Sequence, residues 1–152
     1  MDTRLQARLV FHGATVMLLG LLLGFPFGLV ILGSLSGSER AWRMAHLEGL
    51  LNGMLVIAIA AVAPRLRLGA RQATLLAWTL LVTAYGNTVA AALGAVFGVR
   101  GLAPGGTVVN TAVYALFMIA VATVAIALGL VAAGARSGGG TEPPVARVNE
   151  PV

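Results

Sequence analysis

Few side chains in this chain can do chemistry, and most of them crowd into one stretch. Trp42-Arg43-Met44-Ala45-His46-Leu47-Glu48-Gly49-Leu50-Leu51-Asn52 holds an imidazole, a carboxylate and an amide, with Arg40 just before it. Ionisable groups inside an apolar span are costly to bury and mark functional sites by default. On a helix, six residues between His46 and Asn52 amount to about 9 Å of rise, and their side chains diverge by about 120°. They could line one broad pocket without touching. Glu48 and Asn52, four apart, share a face. The 152 residues contain no cysteine, which excludes disulfides, thiolate metal sites and cysteine nucleophiles. With only two histidines, His12 and His46, tetrahedral zinc lacks ligands. A haem needs only one strong axial ligand, and a neutral imidazole serves. His46 is the candidate for that role, Arg40 and Arg43 could hold propionates, and the open sixth position would suit substrate binding more than electron transfer. The ordinary alternatives are structural: Glu48 paired with Arg43 or Arg40, Asn52 and Asn87 joining helices, and Tyr85 and Trp42 as packing aromatics.

The elements that must position these groups are written in the charges. The chain is 59% hydrophobic and only 10% charged, against about 25% charged in soluble domains, so a soluble monomer is excluded. No Asp, Glu, Lys or Arg occurs between Arg8 and Glu39, between Arg71 and Arg100, or between Arg100 and Arg136, and Glu48 alone interrupts the stretch from Arg43 to Arg65. Each window holds one span of about 20 apolar residues. The reading is an all-α, integral-membrane four-helix bundle, with helices near 9–33, 42–63, 72–98 and 108–134. Residues 1–136 form the membrane domain and 137–152, rich in Gly and Pro, form a disordered tail. Helix 1 is too long for a signal-peptide core and is retained.

Every basic residue other than histidine is arginine. Seven (Arg4, Arg8, Arg65, Arg67, Arg71, Arg136, Arg147) fall on one side of the spans and three (Arg40, Arg43, Arg100) on the other, which sets both termini in the cytoplasm of a multi-pass inner-membrane protein of a bacterium. Arginines this scattered form no nucleic-acid patch. Gly20, Gly24 and Gly28 in helix 1, and Gly86, Ala90, Gly94 and Gly98 in helix 3, recur every fourth residue, a spacing that lets helices approach closely within one subunit or between subunits. Pro26 predicts a kink in helix 1. His46, Glu48, Asn52, Tyr85, Asn87, Asn110 and Tyr114 all fall in the outer half of the predicted spans, where a polar pocket is expected. His12 falls near the inner end, about 30 Å from His46.

Helix 2 resembles styrene-oxide isomerase. The likeness rests on Ala45-His46, the six-residue step to Asn52 within Leu51-Asn52-Gly53-Met54, Val56-Ile57-Ala58, Pro64 and the flanking Trp42, with weaker matches at His12-Gly13 and Gly86-Asn87. The resemblance implies a homotrimer of four-helix subunits with haem b between neighbours and His46 as axial ligand. It implies an epoxide-to-carbonyl isomerase, with iron acting as Lewis acid on a hydrophobic epoxide and a 1,2-hydride shift giving an aldehyde. Asn52 would orient the oxygen, with Asn87 and Tyr85 as further catalytic candidates.

The chain departs from the family pattern at Ala91, where the family has a functional tyrosine, and at Thr83, where it has an aspartate. Two other readings therefore stand beside the isomerase: a haem-binding membrane protein that acts as sensor, carrier or electron-transfer subunit, and a small proton-coupled transporter built on Glu48.

Overall fold

Four long helices account for nearly all of residues 2–136, the part of the chain that the computed structural model describes. They are α1 (Thr3–Ile31), α2 (Glu39–Val62), α3 (Ala70–Phe97) and α4 (Val108–Arg136), with one 3₁₀ turn at Ala63–Arg65 after α2. Each helix is long and apolar enough to cross a membrane, and no strand occurs among the described residues, so the architecture is the all-α four-span bundle that the charge spacing predicts. The tail expected at 137–152 lies outside the described residues.

The first three helices start earlier than their apolar stretches do, because caps rather than hydropathy set the ends, whereas α4 starts at Val108 as expected. The Asp2 carboxylate accepts from the Arg4 backbone N–H, and the Ser38 hydroxyl accepts from that of Ala41. The Gln72 side chain accepts from the Gly69 N–H, and the Thr107 hydroxyl from the Asn110 N–H. Such caps satisfy the donors that a helix leaves unpaired in its first turn. At the other end of α3, Gly98 adopts a left-handed φ of 63° and stops the helix. Pro26 lies inside α1, which continues to Ile31.

The central pair is α2 and α3, with α1 laid along α2 and α4 along α3. Their burial follows: 39% and 44% of the most apolar windows of α2 and α3 are buried, against 11% for α1 and α4. At one end of the bundle Leu9, Val16, Val56, Leu76 and Leu80 form the largest buried cluster; toward the end carrying the α1–α2 connection, Trp42, Ala45, Ala91 and Ala95 form a second.

The α1–α2 seam is a glycine contact. A Cβ on Gly20 would stand 2.6 Å from the Leu50 backbone nitrogen, and one on Gly53 would stand 2.5 Å from the Gly13 carbonyl oxygen. Backbones therefore touch without side chains between them, the arrangement that small residues permit in lipid. The four-residue series in α1 is only partly used this way. Gly20 and Gly24 face α2, whereas Gly28 faces no atom within 4 Å. In α3, Gly86 faces Ala120 and Leu116 of α4, and Gly94 lies against Val99 at the end of its own helix.

Candidate functional site

His46 lies in the second turn of α2 and turns toward α1. Its Nδ1 is 2.8 Å from the Gly20 carbonyl oxygen. A carbonyl can only accept, so Nδ1 is the donor, and in the neutral ring this leaves the lone pair on Nε2. Gly24 makes the space: a Cβ there would stand 3.0 Å from Nδ1 and 3.2 Å from Cε1 of the ring. Phe27 stacks against the imidazole at a centroid distance of 6.3 Å and an interplanar angle of 22°. The ring is held from one side, in one tautomer, and stays half-buried. Carbonyl-anchored imidazole with a free Nε2 is the usual form of a metal-ligating histidine.

One and a half turns further along α2, Asn52 begins a polar chain that crosses to α3. It is only 7% exposed. Its Nδ2 donates to the Glu48 backbone carbonyl at 2.8 Å and to Glu48 Oε2 at 2.6 Å. Asn87 of α3 donates from its own Nδ2 to Asn52 Oδ1 at 3.4 Å. Glu48 is thus engaged by Asn52 on its own helix, not by Arg43 or Arg40. Those two arginines are exposed on the first turns of α2, where they line an open groove of about 300 Å³ with Met44, Leu47, Glu48 and Leu51.

Tyr85 has a different partner. Its hydroxyl is 2.9 Å from His12 Nδ1, and the two rings meet edge to face at 5.8 Å. This pair ties α1 to α3 away from the α1–α2 connection, on a level near Gly13 and Gly53. His46 is level with Gly20 to Gly24, eight to twelve residues along α1 from His12. That is about 12–18 Å of rise, half the separation expected. The difference comes from the helix starts, since both histidines lie well inside helices that begin before their apolar cores. Asn110 also departs from expectation. It accepts from the Gly101 N–H and donates to the Ala103 and Gly105 carbonyls, all at 2.9 Å, so it fastens the α3–α4 connection and adds nothing to a pocket. The polar cluster is therefore built by α1, α2 and α3, with α1 contributing a backbone carbonyl.

A family model for styrene oxide isomerase matches residues 5–136. The chain belongs to the styrene oxide isomerase family. It is also 29% identical over 136 residues to the hydroxylaminobenzene mutase HabB of Ectopseudomonas oleovorans, a match that covers 87% of this chain and 79% of that protein. Both names describe enzymes that rearrange one molecule, and an isomerase-type family fits a site with an imidazole and amides but no strong nucleophile.

The two departures from the family pattern now have places. Thr83 is 1% exposed and faces α4, its hydroxyl 2.8 Å from Thr123 Oγ1 and from the Thr79 carbonyl. It joins helices and takes no part in the Glu48–Asn52–Asn87 chain. Ala91 is 5% exposed in the cluster with Trp42, Ala45 and Ala95. It packs there among apolar side chains, and alanine offers no hydrogen bond.

No group of three or more His, Asp or Glu side chains able to hold a metal ion occurs among the described residues. Haem, with one axial imidazole, asks less of the chain. What found His46 and Asn52 in the sequence was their rarity in an apolar span. What sequence reasoning missed was Gly20 and Gly24 as the seat of the imidazole, because that seat exists only once α1 lies against α2.

Proposed function

We propose that this protein is a haem-dependent isomerase of the bacterial inner membrane, with both termini cytoplasmic, that converts a small hydrophobic epoxide to an aldehyde. The observation that carries this reading is the 2.8 Å hydrogen bond from His46 Nδ1 to the Gly20 carbonyl, which leaves Nε2 as a fixed ligand. Bound there, haem b would supply an electrophile for the substrate oxygen. Arg40 and Arg43, exposed beside the groove on α2, are the residues to hold its propionates. A homotrimer in which a neighbour covers the haem, as the family resemblance implies, belongs to the same proposal.

The isomerisation asks for little else. One C–O bond of the epoxide breaks, a hydride moves from the carbon that keeps the oxygen to its neighbour, and a carbonyl forms. No atom enters or leaves, and no oxidant or water is consumed. The chain's own residues need to bind an apolar substrate, keep water out, and donate hydrogen bonds to the oxygen as it gathers charge. The linked amides of Asn52 and Asn87 are placed to supply such a donor, and Met44, Leu47 and Leu51 along the groove supply an apolar wall.

A second reading concerns the substrate. The similarity to hydroxylaminobenzene mutase makes an aromatic hydroxylamine the alternative molecule to be rearranged. The two are separated by assaying the purified protein on styrene oxide and on hydroxylaminobenzene side by side. An aldehyde from the first supports the epoxide reading, and rearrangement of the second alone replaces it. Failure on both, with haem bound, leaves the non-isomerase haem protein. Proton-coupled flux lost in Glu48→Gln, without haem, would instead support transport.

A further inference from the structure

Glu48 has no part in the reaction as described, yet it fixes the orientation of everything next to it. Asn52 offers two N–H donors and one carbonyl acceptor. Its Nδ2 faces the Glu48 backbone carbonyl at 2.8 Å and the carboxylate Oε2 at 2.6 Å. Both are acceptors, so the amide must present its nitrogen to them; the reversed amide would set oxygen against oxygen. At 7% exposure, Asn52 has little water to offer an alternative. Its Oδ1 is therefore turned toward α3, where Asn87 Nδ2 donates to it at 3.4 Å. Counting donors gives the consequence. Both N–H groups of Asn52 are spent on Glu48, and Asn87 spends one on Asn52 and keeps one.

We propose that Glu48 is a positioning residue for the isomerisation. By occupying both N–H groups of Asn52 it aims Asn52 Oδ1 at Asn87, and so makes Asn87 the side chain whose free N–H meets the substrate oxygen. Asn52 then acts through Asn87 rather than on the substrate. This rests on the isomerase reading above for its reaction, and on the hydrogen bonds alone for its geometry.

The test uses full-length, haem-loaded protein in detergent, with the Soret band and thermal unfolding recorded for every variant. Asn87→Ala is expected to lower kcat by about 100-fold, the usual effect of deleting one donor to a developing oxyanion. Glu48→Ala is expected to lower kcat by about 10-fold or more with KM nearly unchanged, as loss of an outer supporting group does. Glu48→Gln keeps an acceptor at the same reach and is expected to restore most of the turnover. The Glu48→Ala/Asn87→Ala double variant should be no slower than Asn87→Ala, because the carboxylate works through that amide. A multiplicative loss in the double variant, or unchanged kcat in Glu48→Ala, overturns the proposal.

A readout independent of turnover comes from ¹⁵N-asparagine labelling, since the chain has only four asparagines. The Asn52 side-chain amide should exchange with deuterium more slowly in the native protein than in Glu48→Ala, and equal rates overturn the geometry. If the native protein rearranges neither styrene oxide nor hydroxylaminobenzene, the isomerase reading fails and takes the catalytic role of Glu48 with it. The exchange rates still decide the orientation in that case.

Discussion

Where α1 meets α2, backbone lies on backbone; where α3 meets α4, hydroxyls and small side chains do the joining. The first seam uses Gly13, Gly20, Gly49 and Gly53, each so close to the opposite helix that a Cβ would collide with main-chain atoms. The second uses Thr83, whose hydroxyl meets Thr123 Oγ1 at 2.8 Å and the Ala120 carbonyl at 3.3 Å, with Gly86 at ordinary contact distance from Ala120. The His46 imidazole belongs to the first seam. Close approach brings the Gly20 carbonyl within reach of His46 Nδ1, which a seam of larger residues would not. The second seam holds the bundle together and leaves the site alone. That difference explains how the chain can carry Thr83 where its family pattern has an acid while the imidazole seat stays intact.

The largest expected effect follows from forcing the first seam apart. In Gly20→Val, a Cβ 2.6 Å from the Leu50 nitrogen and 2.8 Å from the Gly49 carbonyl carbon has nowhere to go, since both neighbours are backbone. A loss of about 3 kcal/mol, the upper end of ordinary overpacking, is expected in detergent unfolding, and haem binding should fall with it. Gly24→Val acts more locally. It crowds the His46 ring from 3.0 Å, so about 10-fold weaker haem binding is expected with the unfolding transition little changed; a spectrum and haem titration identical to the native protein would contradict the seat described here.

On the other side of the comparison, Thr83→Val removes the α3–α4 hydroxyl bond and keeps the shape. About 1 kcal/mol of stability should be lost, as is typical for hydrogen bonds between membrane helices, with the Soret band unchanged. Tyr85→Phe, which frees His12, is expected to cost a similar amount. A change in haem spectrum in Thr83→Val would erase the distinction between the two seams. Gly28→Ala, with no atom within 4 Å of the new methyl, should alter neither stability nor haem binding. If it impairs assembly instead, that face of α1 is used between subunits.

Much of this fold is legible in the sequence because lipid makes charge expensive: the four spans lie between arginines, and the glycine and proline breaks fall where the helices end. The ends themselves are less legible. Asp2 and Ser38 extend α1 and α2 past their apolar cores, and helices that begin earlier carry His12 and His46 nearer each other than hydropathy suggests. Residues of the site were legible by type, as with His46, Glu48 and Asn52 on one apolar helix. Their partners were not. The acceptor for His46 is a backbone oxygen on another helix, His12 finds Tyr85 only through the register of α1 against α3, and Asn110 turns to its own loop. Spacing along one helix reports which side chains share a face; it is silent on what the facing helix presents.

The seat of His46 is the claim on which the rest depends, and an absorption spectrum tests it most directly. Protein purified in detergent, with haem added, is expected to show a Soret band that is absent from His46→Ala while the variant keeps its helical circular dichroism. A flat spectrum from the native protein after haem addition, or a band that survives in His46→Ala, would contradict the account.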